Sequence, residues 1–150
     1  MIREGSEVGA PATPEPVGCL ARITDCDMQQ LGLLHLNTLG GQRFRILACH
    51  TGAQGLVSAD IKLIPPEEAI PLPERFIAFT RLLKLVVAGQ DRPIFAEPHE
   101  FGSAAWVGYR LTEILPVPLA AKQKLLELTD SLARLDILQR FLEQRGFNAG

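Results

Sequence analysis

Residues 40 to 42 spell Gly-Gly-Gln, the tripeptide with which translational release factors hydrolyse peptidyl-tRNA, and Arg43 and Arg45 follow as potential phosphate contacts. Alternating apolar residues flank the tripeptide on both sides. Two alternating runs joined by Gly-Gly predict a β-hairpin, whose turn uses the positive φ that glycine tolerates. We therefore interpret the tripeptide as a turn, with Phe44 facing the core and the two arginines facing solvent or a partner.

Cys49 and His50 are adjacent in the sequence, and a thiol and an imidazole are the groups that serve as nucleophile and base in some enzymes. Neighbours in a strand point to opposite faces, so the pair cannot readily hydrogen-bond. We interpret Cys49 as a buried thiol and His50 as an edge histidine. Ser103 and Ser131 lie at predicted helix starts, where serine is more often a cap than a nucleophile.

Nucleotide and metal motifs are also missing from the sequence. No Gly-x-x-x-x-Gly-Lys-Ser/Thr loop occurs. The three cysteines, Cys19, Cys26 and Cys49, lack the paired spacing of a zinc site, and their odd number favours reduced thiols. The sequence therefore predicts no catalytic residue, no metal site and no cofactor, and hence a protein that is not an enzyme.

Composition and charge restrict the partners. The 150 residues are 47% hydrophobic and 21% charged, and the formal net charge of -2 disfavours nucleic acid. The N-terminus, MIREGSEVGA, has no apolar core of a secretory signal, and the longest apolar run, LLKLVVAG, is too short to span a bilayer. We predict a cytoplasmic protein with no membrane partner.

Four prolines in IPPEEAIPLPE, residues 64 to 74, mark a linker between two differently patterned halves. Before it, short segments alternate apolar and polar residues between glycines, which is typical of antiparallel strands. After it, the apolar period lengthens toward that of a helix. The sequence predicts an α+β protein, with an antiparallel β subdomain over residues 1–70 and a helical bundle over residues 71–150.

The second half contains signals for four helices. The first is predicted over residues 73–88, and the second begins after a cap at Ser103 and ends near Pro116. Residues 119–128 predict a third helix. A fourth, capped by Thr129 or Asp130, carries leucines every three or four residues and ends near Gly146.

The loop AGQDRPIFAEPHEFG, residues 88 to 102, carries Phe95 and Phe101. Long loops often have functions, and these aromatic rings could contact apolar stretches of a partner protein. The alternative is that both rings fold back and pack inside the protein. We predict partner binding by Phe95, Phe101, Arg43 and Arg45, with the folded-back alternative open.

Three stretches carry a resemblance to a known family: VGCLARITD, GGQRFRIL and WVGYRLTEILPVPLAAKQKLLELTDSLARLDIL. In this order they resemble the substrate-recognition domain at the N-terminus of the ATP-dependent protease Lon, which also occurs as free-standing bacterial proteins. The resemblance implies a PUA-like pseudo-barrel followed by helices. It also implies a non-catalytic module that binds unfolded or tagged protein substrates.

The same resemblance leaves two further hypotheses open. PUA-like barrels of other families bind RNA, and Arg22, Arg43 and Arg45 could form a basic strip across adjacent strands. Family members typically open with a strand built on Pro-Leu-Phe-Pro-Leu, to which nothing here corresponds. An incomplete barrel would expose a sheet edge, so we also predict a homodimer formed through that edge.

Overall fold

The computed structural model describes residues 2–5, 12–30, 32–53 and 55–146, and within them five β-strands precede four α-helices. The strands are β1 (Ile2–Glu4), β2 (Thr13–Pro14), β3 (Val17–Gln30), β4 (Leu33–Thr51) and β5 (Val57–Leu63). The helices are α1 (Ile77–Ala88), α2 (Ala104–Ile114), α3 (Leu119–Glu127) and α4 (Ser131–Glu143), and a short 3₁₀-helix, Glu74–Phe76, precedes α1. The predicted α+β class, with strands before helices, is confirmed.

The chain divides into two units, Met1–Pro66 and Glu67–Gly150, here called the β unit and the helical unit. The predicted boundary after residue 70 lies four residues later than the division after residue 66. The end of the proline-rich linker is hydrogen-bonded within the helical unit. Leu72 N–H donates to the Gly102 carbonyl at 2.7 Å, and Ala104 N–H donates to the Ile70 carbonyl at 3.0 Å.

The strands of the β unit pair antiparallel in two sheets. One contains β1 and β2, and the other has the order β3-β4-β5. The second sheet has free edges at β3 and β5, so the strands of the described residues form no closed barrel. The turn from β3 to β4 includes Gly32, whose φ of 86° is a conformation that glycine adopts without strain.

The predicted hairpin turn at the Gly-Gly-Gln tripeptide is wrong. The tripeptide lies inside β4, which runs without interruption for 19 residues, and neither glycine has a positive φ. Cys19 pairs with Arg43, and Ala21 pairs with Gly40, so β4 has one more residue than β3 between these pairs. This arrangement is a β-bulge, which glycine accommodates inside a strand as readily as it makes a turn.

The β unit buries few of its described side chains. Of these, Val17 and Arg43 are the buried ones, at 1% and 8% exposure. Many large apolar side chains of this unit are exposed: Leu20, Ile23, Met28, Leu33, Leu34, Leu36, Leu47, Leu56, Val57, Ile61 and Leu63. The sheet therefore presents apolar surface on residues that alternation alone would assign to a core.

Two helices, α2 and α4, begin at caps that the sequence predicts. The Ser103 hydroxyl accepts a hydrogen bond from the Trp106 N–H at the start of α2. At the start of α4, the Asp130 carboxylate accepts from Leu132 N–H at 2.9 Å and Ala133 N–H at 3.0 Å. Asp130 is thus the cap, and the alternative, Thr129, is not.

The helical unit has a continuous apolar core. Its fully buried members are Leu83, Ala104, Val107, Leu111, Leu135 and Leu138. They come from α1, α2 and α4, and α3 adds Leu125, which is 3% exposed. The core thus draws one apolar stripe from each helix, as the helical period predicts.

Candidate protein-binding site

The two arginines after the tripeptide lie on one face of the sheet but in different environments. Arg43 and Arg45 are two residues apart on β4 and pair with Cys19 and Val17 of β3. Arg45 is exposed, whereas Arg43 is buried. The prediction placed Arg43 in solvent or against a partner, and its burial contradicts the solvent alternative. Alternation assigns residues to a common face without showing which part of that face is covered.

The basic strip proposed for RNA is not present. Arg22 pairs with Leu39, and β3 alternates regularly between Val17 and Arg22, so Arg22 lies on the face opposite to Arg45. With Arg43 buried, the three arginines do not form one exposed row. No observation on the described residues favours RNA as a partner.

Phe95 and Phe101 both pack inside the helical unit. Phe95 is 5% exposed and belongs to the core, with its ring centroid 5.8 Å from that of Trp106. Phe101 is partly buried, 5.1 Å from Trp106 and 5.5 Å from His99. These contacts match the folded-back alternative, and the partner-binding role of the four predicted residues stays a prediction.

The Cys49 and His50 side chains do not act together. Cys49 pairs with Ala59 and His50 with Ser58, so the two neighbours point to opposite faces as predicted. The His50 Nε2 lies 2.9 Å from the Asp60 carboxylate instead. Cys49 is exposed, so the prediction of a buried thiol is wrong. Among the described residues, no group of three or more His, Cys, Asp or Glu could hold a metal ion.

The helical unit contains an apolar groove of about 440 Å³ between α3 and α4. Its lining combines apolar side chains with one acidic and one basic residue: Val117, Pro118, Ala121, Lys124, Leu125, Glu127, Leu128, Ile137, Leu138 and Phe141. The two charged residues bind each other, with Lys124 Nζ 2.9 Å from Glu127 Oε2. We call this feature the α3–α4 groove.

Local sequence explains why the groove stays open. Ala121 places a small side chain on the wall formed by α3, where a longer residue would fill the space. Leu125 and Leu138 point into the core and form the floor, at 3% and 0% exposure. On the α4 wall, Ile137 remains 45% exposed, which is unusual for an isoleucine next to a core.

Arg134 binds the backbone of two residues that line the groove, Leu125 and Leu128. This arginine of α4 is fully buried, and its guanidinium donates to carbonyls at the C-terminal end of α3. The Nε–H donates to Leu125 O at 3.0 Å, and Nη2 donates to Leu128 O at 2.7 Å. A cation is favourable at a helix C-terminus, where carbonyls lack partners within the helix.

The negative charge opposite Arg134 comes from the linker. Glu67 Oε1 and Oε2 accept from the two terminal nitrogens of Arg134 at 2.6 and 2.9 Å. Tyr109 of α2 donates to the same carboxylate and lies beneath the guanidinium, whose carbon is 4.0 Å from the ring centroid. Sequence reasoning missed Arg134, although a charged residue on the stripe of Ser131, Leu135 and Leu138 was a visible signal.

A family model described as the ATP-dependent protease La (LON) substrate-binding domain matches residues 4–144. The chain belongs to this family. The resemblance seen in the sequence is therefore confirmed over almost the whole chain. The Lon substrate-binding domain is a non-catalytic domain family, and membership supports a role in protein binding.

Solved structures of the Lon family show the same fold. A Lon N-terminal domain protein from Xanthomonas campestris is 28% identical with a TM-score of 0.69, covering 83% of this chain and 67% of that chain. The N-terminal domain of the Mycobacterium avium complex Lon protease is 16% identical with a TM-score of 0.58, covering 93% of this chain and 74% of that chain. The second likeness shows the fold alone. A search of curated proteins found no match.

None of the helices in the described part of the chain is both long enough and apolar enough to cross a bilayer.

Proposed function

We propose that this member of the Lon substrate-binding family holds apolar segments of unfolded protein substrates in its α3–α4 groove and breaks no bond itself. The groove is the observation that carries the proposal. Its volume of about 440 Å³ lies in the usual range of ligand pockets, roughly 300–1,000 Å³. Its lining is apolar apart from one ion pair, which suits side chains that a folded substrate would keep in its own core.

Affinity would come from apolar contact. Ile137 offers exposed surface on one wall, and each Å² of apolar area removed from water contributes about 25 cal/mol. An unfolded segment must be ordered when it binds, which offsets much of this gain. We therefore expect weak, micromolar binding that tolerates many apolar sequences.

The charges at the groove favour uncharged segments. Lys124 and Glu127 neutralise each other, so a charged substrate residue would lose hydration there without gaining an unopposed partner. Binding should accordingly change little between low and moderate salt. Association driven by a basic surface would instead weaken steeply with salt.

A fluorescence titration tests the proposal. A dye-labelled, permanently unfolded model protein is titrated with the chain and with Ile137→Asp, which places a charge on the exposed groove wall. The proposal predicts at least about tenfold weaker binding by the variant, or about 1.4 kcal/mol. Ile77→Asp on α1 is the matched control, because Ile77 has the same 45% exposure and does not line the groove.

Two outcomes contradict the proposal. If unfolded protein does not bind at concentrations up to high micromolar, the proposed function is contradicted. If Ile137→Asp and Ile77→Asp weaken binding of the unfolded protein equally, the groove is not the binding site. Incubation with casein and ATP should show no proteolysis by this chain alone, because we propose binding without catalysis.

A further inference from the structure

The outer edge of β5 offers unpaired backbone groups. The strand pairs with β4 on one side, and Ile64 N–H donates to Arg43 O, so the even-numbered residues 58 to 64 point their backbone groups toward β4. The backbone groups of Ala59, Ile61 and Leu63 therefore point outward. Within the described ranges, no residue hydrogen-bonds to these outward groups.

The side chains of β5 separate cleanly by face. Ala59, Ile61 and Leu63 share an apolar face, and Asp60 and Lys62 lie on the opposite one. Every residue of the strand is exposed. An exposed, regular edge strand with one apolar face is a template for pairing with another chain.

We propose that β5 pairs antiparallel with β5 of a second copy of this chain, with Ile61 opposite the partner's Ile61. In the new ladder, residues whose backbone groups point outward must pair with residues of the partner whose backbone groups also point outward. A symmetric register therefore pairs one central residue with the same residue of the partner. A centre at Asp60 would oppose two carboxylates, and a centre at Lys62 would oppose two ammonium groups. A centre at Ile61 places Asp60 opposite the partner's Lys62, and by symmetry places Lys62 opposite the partner's Asp60.

The surroundings of Lys62 favour this register. Lys62 pairs with Arg45 of β4, which sets two like charges directly opposite each other. Among the described residues Lys62 has no ion-pair partner. The partner's Asp60 would supply its counter-charge through Oδ1, because Oδ2 of Asp60 lies 2.9 Å from His50 Nε2 of its own chain. The Asp60 and Lys62 positions are the closely spaced pairs of the new ladder, with Cα atoms roughly 4.5 Å apart.

The proposed contact has closed two-fold symmetry. The same strand is used by both copies, so the interface is isologous and yields a dimer rather than a fibre. It joins two three-stranded sheets into one of six strands and covers both β5 edges. On the apolar face, Ile61 contacts the partner's Ile61, and Ala59 lies opposite the partner's Leu63.

Charge reversal tests this interface by light scattering and analytical ultracentrifugation across micromolar concentrations. The unaltered chain should dimerise. Asp60→Lys and Lys62→Glu each set like charges opposite one another twice, so each should raise the dimer dissociation constant by at least about tenfold. Arg81→Glu, an equal charge change at an exposed position on α1, should leave it unaltered.

Mixing the two variants gives the decisive result. The lysine introduced by Asp60→Lys in one chain then faces the glutamate introduced by Lys62→Glu in the other. The unaltered Lys62 of the first chain faces the unaltered Asp60 of the second, so a heterodimer should form from two chains that do not self-associate. This outcome also shows that both variants are folded.

Three results overturn the proposed dimer. It fails if the unaltered chain stays monomeric, if the chain dimerises equally with either substitution, or if mixing the two variants restores nothing. If the β5 edge pairs with strands of substrate proteins instead of a second copy, the unaltered chain would stay monomeric.

Discussion

Arg134 and Glu67 are 67 residues apart in the sequence and form a two-pronged ion pair inside the helical unit. The side chains of both residues are almost completely buried, at 0% and 5% exposure. The pair connects α4 to the segment that precedes the helices, and Arg134 also binds the end of α3. One guanidinium thus holds three parts of the helical unit that sequence order keeps separate.

Removing either member of this pair should destabilise the protein strongly. Arg134→Met leaves the Glu67 carboxylate buried without its cation, and Glu67→Gln leaves the arginine without its anion. Truncating one partner of a buried ion pair typically costs about 3–5 kcal/mol. Urea denaturation of each single variant and of the double variant measures the loss and the coupling.

The double variant is the informative control for that prediction. If the pair acts as a unit, the double variant should lose clearly less stability than the sum of the single losses. Losses below about 1 kcal/mol in both single variants would contradict a buried, coupled pair, since that is the size expected of exposed pairs.

The Asp130 cap should contribute measurably to the stability of α4. Asp130→Ala removes the acceptor for two backbone N–H groups of the first turn, which should lower the free energy of unfolding by about 1 kcal/mol. Asp130→Asn retains an acceptor oxygen and should lose much less. Chemical denaturation separates the two. Equal losses would show that the charge matters rather than the cap.

Glu113 should give the helical unit a weak pH dependence. Burial raises the pKa of this carboxyl above its ordinary value of 4.5, although Arg110 and Lys122 oppose the rise. The folded state then holds the proton more tightly than the unfolded state. The free energy of unfolding should therefore fall as pH rises from about 4.5 through the raised pKa.

The amplitude of that pH effect should be small, because the Glu113 side chain is 51% exposed and its ion pair with Arg110 is screened by solvent. A carboxyl-detected NMR titration gives the pKa directly. Glu113→Gln should remove the corresponding slope from a stability profile. A Glu113 pKa below 4.5 would reverse the predicted sign.

Two glycines of the β unit should respond oppositely to alanine. At both Gly40 and Gly32 an added Cβ would meet no other atom within 4 Å, but Gly32 has a φ of 86° and Gly40 has no positive φ. Gly32→Ala should destabilise by about 1–2 kcal/mol. Gly40→Ala should be neutral or stabilise by up to about 1 kcal/mol. If thermal denaturation showed that Gly40→Ala is less stable than Gly32→Ala, that result would contradict the bulge at Gly40 and support a turn at the tripeptide.

Helix positions were predictable because their signals are local. Ser103 and Asp130 each sit next to a run with helical period, and capping depends on neighbouring residues alone. The order of strands and helices followed from the change of period at the prolines. These features do not depend on what lies across the fold.

The strand details were less predictable, because a glycine pair fits a turn and a bulge equally well. The choice at Gly40 depends on the pairing partner, since β3 continues alongside and keeps β4 extended. The burial of Arg43 depends in the same way on what covers its face. Neither is encoded in the period of β4 itself.

The groove lay beyond sequence reasoning for a different reason. Helical periodicity marks Leu125 and Leu138 as core residues, but it does not show that a space remains between their helices. Ala121 contributes only a small side chain to the lining of that space, and Arg134 binds the carbonyls of two other lining residues, Leu125 and Leu128. The arginine was open to detection, as a charge on an apolar stripe, whereas the volume was not.

All ten residues of the α3–α4 groove fall between Val117 and Phe141, two helices joined by residues 128–130. Contacts so close along the chain have low contact order and form early in folding, whereas the pairing of long strands is slow. During refolding, we expect amides of α3 and α4 to gain hydrogen-exchange protection before those of β3 and β4. A growing or partly folded chain would then carry the α3–α4 groove before its sheet is complete.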